Sequence, residues 1–125
     1  MRKLIWLAVA GGGMIVSLAC AAEWSGEWKA LRATYTIYSG ELAEREAPTS
    51  TERNMTVEFE GQAAKELFDS IGPDSRDTCS QDKGDRERRK RGIYCTYTLK
   101  GTGRGYQCWI GLNLRTGESI PTVSC

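Results

Sequence analysis

Between residues 31 and 38 apolar and polar positions alternate without a break. Leu31, Ala33, Tyr35 and Ile37 fall on one side of the chain, and Arg32, Thr34, Thr36 and Tyr38 on the other. A period of two is the signature of a strand with one buried face. Met55, Val57 and Phe59 alternate with Thr56, Glu58 and Glu60 in the same way and predict a second strand. Residues 41–54 between them are polar, contain Pro48-Thr49-Ser50-Thr51, and read as a loop. The period then changes. Ala64, Leu67, Phe68 and Ile71 share one face at helical spacing, which predicts a helix over residues 61–71, and Gly72-Pro73 supplies its stop.

Residues 74–92 carry almost nothing apolar and are expected to form a loop. Three further segments, 93–99, 106–114 and 119–125, are expected as a meander. They are joined by the Gly-rich turn Gly101-Thr102-Gly103-Arg104 and by a turn at Thr116-Gly117. The whole predicts an α+β domain: a mainly antiparallel sheet of about five strands in the order β-β-α-β-β-β, with one helix packed on it. The expected register gathers Ile93, Cys95, Tyr97, Leu99, Tyr106, Cys108, Ile110, Leu112, Val123 and Cys125 on the core face beneath the helix. Tyr94, Thr96, Thr98, Gln107, Trp109, Asn113 and Thr122 fall on the other face. A slip of one residue would exchange the two. Trp24 and Trp28 lie four apart ahead of the first strand. They are read either as the stripe of a short helix or as plugs from a lead-in segment that covers Tyr94 and Trp109.

The first 22 residues read differently. Met1-Arg2-Lys3 is a short positive stretch, Leu4 to Leu18 is apolar and uncharged, and Ala19-Cys20-Ala21 supplies small residues at a cleavage site. This is the pattern of an export signal, and its apolar run is short of the ~20 residues that a spanning helix needs. The expected division is a signal peptide over 1–22 and one domain over 23–125. Two fates are open at the junction. Cleavage after Ala21 or Ala22 would release a soluble domain. Alternatively, Ser17-Leu18-Ala19-Cys20, an imperfect lipobox, would leave Cys20 lipidated.

Export changes the meaning of the cysteines. With Cys20 removed or lipidated, Cys79, Cys95, Cys108 and Cys125 remain, an even number in a small exported domain, and they imply two disulfides. A hairpin at Thr116-Gly117 would set Cys108 opposite Cys125. The expected pairing is therefore Cys79–Cys95 with Cys108–Cys125. A zinc site is disfavoured, since no Cys-x-x-Cys occurs and there is no histidine.

The missing histidine also removes Ser-His-Asp and Cys-His nucleophiles and the commonest general base. Net charge is +1 for the chain. Loss of Arg2 and Lys3 leaves fifteen basic against sixteen acidic residues, a net charge of −1. A near-neutral domain lacks the phosphate-neutralising charge on which nucleic-acid affinity rests. Fourteen glycines fit a turn-rich β fold.

Candidate chemistry is correspondingly sparse. The run Gly84-Asp85-Arg86-Glu87-Arg88-Arg89-Lys90-Arg91-Gly92 is either a solvated loop, partly compensated by Asp85 and Glu87, or a contact for an acidic partner. With Arg104 at the Gly-rich tip and the aromatic pair Tyr94 and Trp109, it gives the candidate partner-binding set: Arg86, Arg88, Arg89, Lys90, Arg91, Arg104, Tyr94 and Trp109. Gly101-Thr102-Gly103-Arg104-Gly105 lacks the Lys-Ser/Thr ending of a phosphate loop. Asp74, Asp77, Asp82 and Asp85 do not follow calcium-loop spacing. No catalytic residue, metal or cofactor is assigned.

The resulting expectation is a non-enzymatic binding protein of the cell envelope, such as an inhibitor or immunity-type protein acting on a secreted enzyme. It would be periplasmic, or held to the membrane only through a lipidated Cys20. Its partner would be a protein or an acidic envelope component, not nucleic acid. The alternatives are an envelope hydrolase working through carboxylates such as Glu58, Glu60 or Glu66, and a structural envelope lipoprotein without a discrete ligand.

Overall fold

The computed structural model describes residues 23–123 and Cys125. The expected export segment, with Cys20, lies outside the described residues. Two strands, β1 (Ala33–Tyr38) and β2 (Asn54–Glu60), precede helix α1 (Gln62–Ser70). Three strands come after it: β3 (Arg86–Lys90), β4 (Ile93–Thr98) and β5 (Gly105–Asn113). They form one antiparallel sheet in the order β1-β2-β5-β4-β3. The expected α+β architecture, five strands with one helix, is the observed one.

The helix lies on the sheet face that the alternation marks as core. Phe59, Ala64, Phe68, Ile71, Cys95 and Cys108 are buried together, with Val57, Leu67, Ile93, Tyr97, Tyr106 and Ile110 packed around them. The chain passes from β2 into α1 through Gly61, whose φ of +77° lies in the left-handed region that a side chain disfavours. The helix packs mainly on β5, β2 and β4, and β1 lies outside these main contacts. Consequently Tyr35 and Leu31, expected as buried, stay exposed.

Two segments depart from the expected assignments. Residues 86–90, expected as loop, form the edge strand β3. Residues 119–125, expected as a strand beside 106–114, make a single bridge among the described residues, Leu112 with Ser119. The reason is occupancy. One side of β5 is filled by β2, which pairs with it from Gln107 to Asn113. The other side is filled by β4 from Ile110 backwards. Ile120 N still donates to Gly111 O (3.2 Å), just beyond the β3–β4 turn. There the space beside β5 ends, and the chain leaves the sheet plane.

The disulfide pairing is corrected as well. The structure joins Cys95 to Cys108 and Cys79 to Cys125, in place of Cys79–Cys95 and Cys108–Cys125. Cys95 and Cys108 are directly opposed on β4 and β5, with Cα atoms 4.1 Å apart. Because 119–125 is not a strand, Cys125 never comes opposite Cys108. It crosses the second face of the sheet to Cys79 instead. Two disulfides in a domain this small fit a non-cytoplasmic, oxidising compartment. Among the described residues no helix is long and apolar enough to cross a membrane.

Candidate functional site

The face of the sheet opposite α1 carries Thr34, Thr36 and Tyr38 of β1 and Asn54, Thr56 and Glu58 of β2. Gln107, Trp109 and Gly111 of β5 come next, with Tyr94 and Thr96 of β4 and Glu87 and Arg89 of β3. Two structures rise over this polar face. The first is the loop 40–45 after β1. Its base is closed by a two-way backbone bridge between Ser39 and Glu46 (3.0 and 3.1 Å). Gly40 N donates to Glu52 Oε1 (2.9 Å), and Arg45 Nη1 donates to Leu42 O (2.6 Å). The second is a strap, residues 119–123, leading to Cys125.

Loop and strap face each other across a cleft of about 550 Å³, lined by Leu42, Arg45, Ile120, Pro121, Thr122 and Val123 among others. Its floor includes Tyr38 and Asn54, both buried. The Tyr38 hydroxyl shares a hydrogen bond with Thr56 Oγ1 (3.0 Å). A second depression of about 250 Å³ lies beside it, between Trp109, Thr34, Thr36, Thr56 and Glu58. Leu42 and Arg45 line both.

The strap is held closely at its start and weakly beyond it. Asn113 N donates to Glu118 O (2.8 Å), and Asn113 Oδ1 accepts from Arg115 N and Thr116 N, which fixes the turn. Past Ile120, a Cβ on Gly111 would stand 2.6 Å from both Ile120 O and Thr122 Cγ2. The strap thus rests on bare backbone at Gly111. The buried Thr122 hydroxyl has no hydrogen-bond partner among the described residues, a cost of about 1–3 kcal/mol. That cost is offset by the Cys79–Cys125 crosslink, which anchors the far end. Gly111→Ala is expected to push the strap off the sheet and to cost about 1–3 kcal/mol. Urea denaturation would show it as a lower midpoint, with faster hydrogen exchange at 119–123. A variant as stable as the parent would contradict the close approach.

The chain matches no protein-family model, no curated protein and no solved structure.

The predicted partner-binding residues do not come together as one patch. Arg86 and Arg88 point to the helix face, with their guanidinium carbons 5.1 and 4.3 Å from the centroid of the Phe68 ring. Both are tied to Asp74, and Arg88 Nη1 also donates to Phe68 O (2.7 Å). These hydrogen bonds hold the Asp74 carboxyl down at about 2. Arg89 points to the opposite face. It pairs with Glu87 (2.9 Å), lies over the Tyr94 ring, and approaches Cys79 Sγ and Cys125 Sγ (3.4 and 3.5 Å). Only Lys90, Arg91 and Arg104 are both exposed and outside these ion pairs. Arg91 lies at the β3–β4 turn and Arg104 at the β4–β5 turn, so β4 separates them.

The aromatic pair is also revised. Tyr94 and Trp109 stack at 5.3 Å, but Tyr94 is buried. Burial, with the Glu87 carboxylate beside it, pushes the Tyr94 hydroxyl up to about 12. Trp24 and Trp28 cover neither ring, since they are 92% and 99% exposed. Trp109 is half-buried and walls the second depression. Sequence reasoning misses Leu42, Arg45 and Ile120–Val123. The loop 40–45 has no periodicity to flag it, and the strap carries the pattern of a strand.

Proposed function

We propose that this chain is an exported, non-enzymatic binding protein of the cell envelope, of the inhibitor or immunity type, that grips a protein partner in the loop–strap cleft. The observation that carries the reading is that both walls of the cleft are fixed in advance. The Ser39–Glu46 bridge closes one, and the turn at Asn113 together with the Cys79–Cys125 crosslink anchors the other. A preformed cleft loses little conformational entropy on binding, which is how a small domain gains affinity. Among the described residues a single carboxylate, Glu41, lines the cleft; Glu58, in the neighbouring depression, accepts from Gln107, and Glu52 accepts from Gly40 N. Lys90 and Arg91 stand exposed at the β3–β4 turn, whose Gly92 lies against the strap, and they favour a partner with an acidic rim.

Site-specific photo-crosslinking in the exported, oxidised chain tests this. A crosslinker at Leu42 is expected to capture a discrete envelope protein, and one at Lys65, on the helix side, is not. Arg45→Glu should abolish the Leu42 adduct. Capture from Lys65 alone, or no adduct from Leu42, would overturn the reading.

A further inference from the structure

The two disulfides occupy opposite environments. Cys95 and Cys108 are fully buried beneath the helix. Cys79 is half-buried and Cys125 exposed, and the Arg89 guanidinium lies within hydrogen-bond distance of both of their sulfurs. An exposed disulfide is open to attack by an external thiolate, whereas a buried one is shielded from it. A cation beside a sulfur stabilises it as thiolate and so makes it a better leaving group.

We propose that Cys79–Cys125 is a thiol-exchange site, attacked at Cys125 by an envelope dithiol of the Cys-x-x-Cys class, and that its opening releases the strap. The steps balance. A thiolate of the dithiol attacks Cys125 Sγ and forms a mixed disulfide, and Cys79 departs as a thiolate beside Arg89. The second thiol of the reductant then attacks the mixed disulfide, becomes oxidised with the first, and frees Cys125. Two electrons pass from the dithiol to the crosslink, and the two protons of the dithiol end on Cys79 and Cys125.

The mechanical effect of opening depends on how the strap is held. Ile120 N is the last strap donor in a backbone hydrogen bond among the described residues, and the Thr122 hydroxyl is unpartnered there. Without the crosslink, residues 121–123 keep only their packing at Gly111 and along the cleft. One wall of the cleft then comes loose while the sheet, the helix and Cys95–Cys108 remain intact. The consequence for a bound partner rests on the proposed function above; the exchange chemistry does not.

The test uses the oxidised, exported chain and dithiothreitol as the dithiol, with maleimide trapping and peptide mass mapping. Cys79 and Cys125 should label at dithiothreitol concentrations that leave Cys95 and Cys108 unlabelled. Hydrogen exchange should rise at 119–123 and stay slow in β2, β4 and β5. Arg89→Gln should slow the reduction by about threefold, from the dependence of exchange rate on leaving-group pKa, and Arg89→Lys should restore it. General loosening of the fold by Arg89→Gln would instead speed the reduction. Simultaneous opening of both disulfides, earlier opening of Cys95–Cys108, or unchanged exchange at 119–123 would overturn the proposal. An Arg89→Gln variant that reduces as fast as the parent, or faster, would remove Arg89 from it. None of these readouts depends on partner capture, so failure here and failure of the crosslinking experiment are distinguishable.

Discussion

Replacing Phe68 with alanine is expected to destabilise the fold by about 3–5 kcal/mol, the largest effect of any single side-chain truncation proposed for this chain. Phe68 is completely buried and stands at the centre of the helix–sheet contact. Tyr106 meets its ring edge-on at 5.3 Å, and Arg88 and Arg86 cover it. Truncation removes the apolar area and also leaves two guanidinium groups above a void. Arg88, with its side chain only 15% exposed, has little water to turn to. Urea denaturation monitored by far-UV circular dichroism would measure the loss. A change below about 1 kcal/mol would mean that the helix does not depend on this side chain.

Glu87→Ala is expected to cost about 3 kcal/mol, by leaving the Cys79 and Ser80 amides without their acceptor and the partly exposed Arg89 without its partner. The carboxylate is only 2% exposed. It accepts from Cys79 N (2.8 Å), Ser80 N (3.0 Å) and Arg89 (2.9 Å), so it ties the segment bearing Cys79 to the sheet. Its pH dependence has a definite sign. Burial alone would raise its pKa, but hydrogen bonds from Ser80 N, Arg89 and Cys79 N outweigh that and hold it below the ordinary 4.5. A depressed carboxyl stabilises the fold above its unfolded pKa and loses that contribution as pH falls through its folded value. Asp74 adds a contribution of the same sign, reduced by solvent screening, lost between 3.8 and about 2. The urea midpoint should therefore fall as pH drops from about 4.5 towards 2, and Glu87→Gln should flatten the upper part of that decline. A parent protein whose midpoint is level across this range would contradict the assignment.

Much of the sheet is legible in the sequence because one of its faces is apolar. In β2, β4 and β5 the alternating residues that meet the helix are Val57, Phe59, Ile93, Cys95, Tyr106, Cys108 and Ile110, and the period of two is explicit. Strand β3 is invisible for a physical reason. Its inward positions are filled by Arg86 and Arg88 on one face and Glu87 on the other, and these charges are met by Asp74 and by backbone donors of residues 79 and 80. Alternation of charge with charge leaves no hydropathy signal. The expected disulfide pairing fails for the same reason that the cleft is hidden. Cys95 and Cys108 already share the expected core face on adjacent strands. The pairing of Cys108 with Cys125 instead needs a hairpin, and the hairpin needs a free side of β5. Nothing local in Ser119–Cys125 reveals that both sides are taken, because that depends on β2 and β4. Leu42 and Arg45 are illegible because their position is set by the Ser39–Glu46 bridge and not by any pattern of their own.

The two margins of the sheet are unlike, and this bears on how copies of the chain can associate. At β3 one outward carbonyl is already in use, since Ser75 N donates to Glu87 O (2.7 Å), and Lys90 stands charged beside it. At β1, Ala33–Tyr38 presents uncharged side chains along a strand that, among the described residues, is paired only on its β2 side. Blocked and charged margins are how sheets resist lateral growth. If two copies met along β1, the joined sheet would end in β3 on both sides, and addition would stop there. Growth by that route would therefore end at a pair and would not extend into an endless fibre.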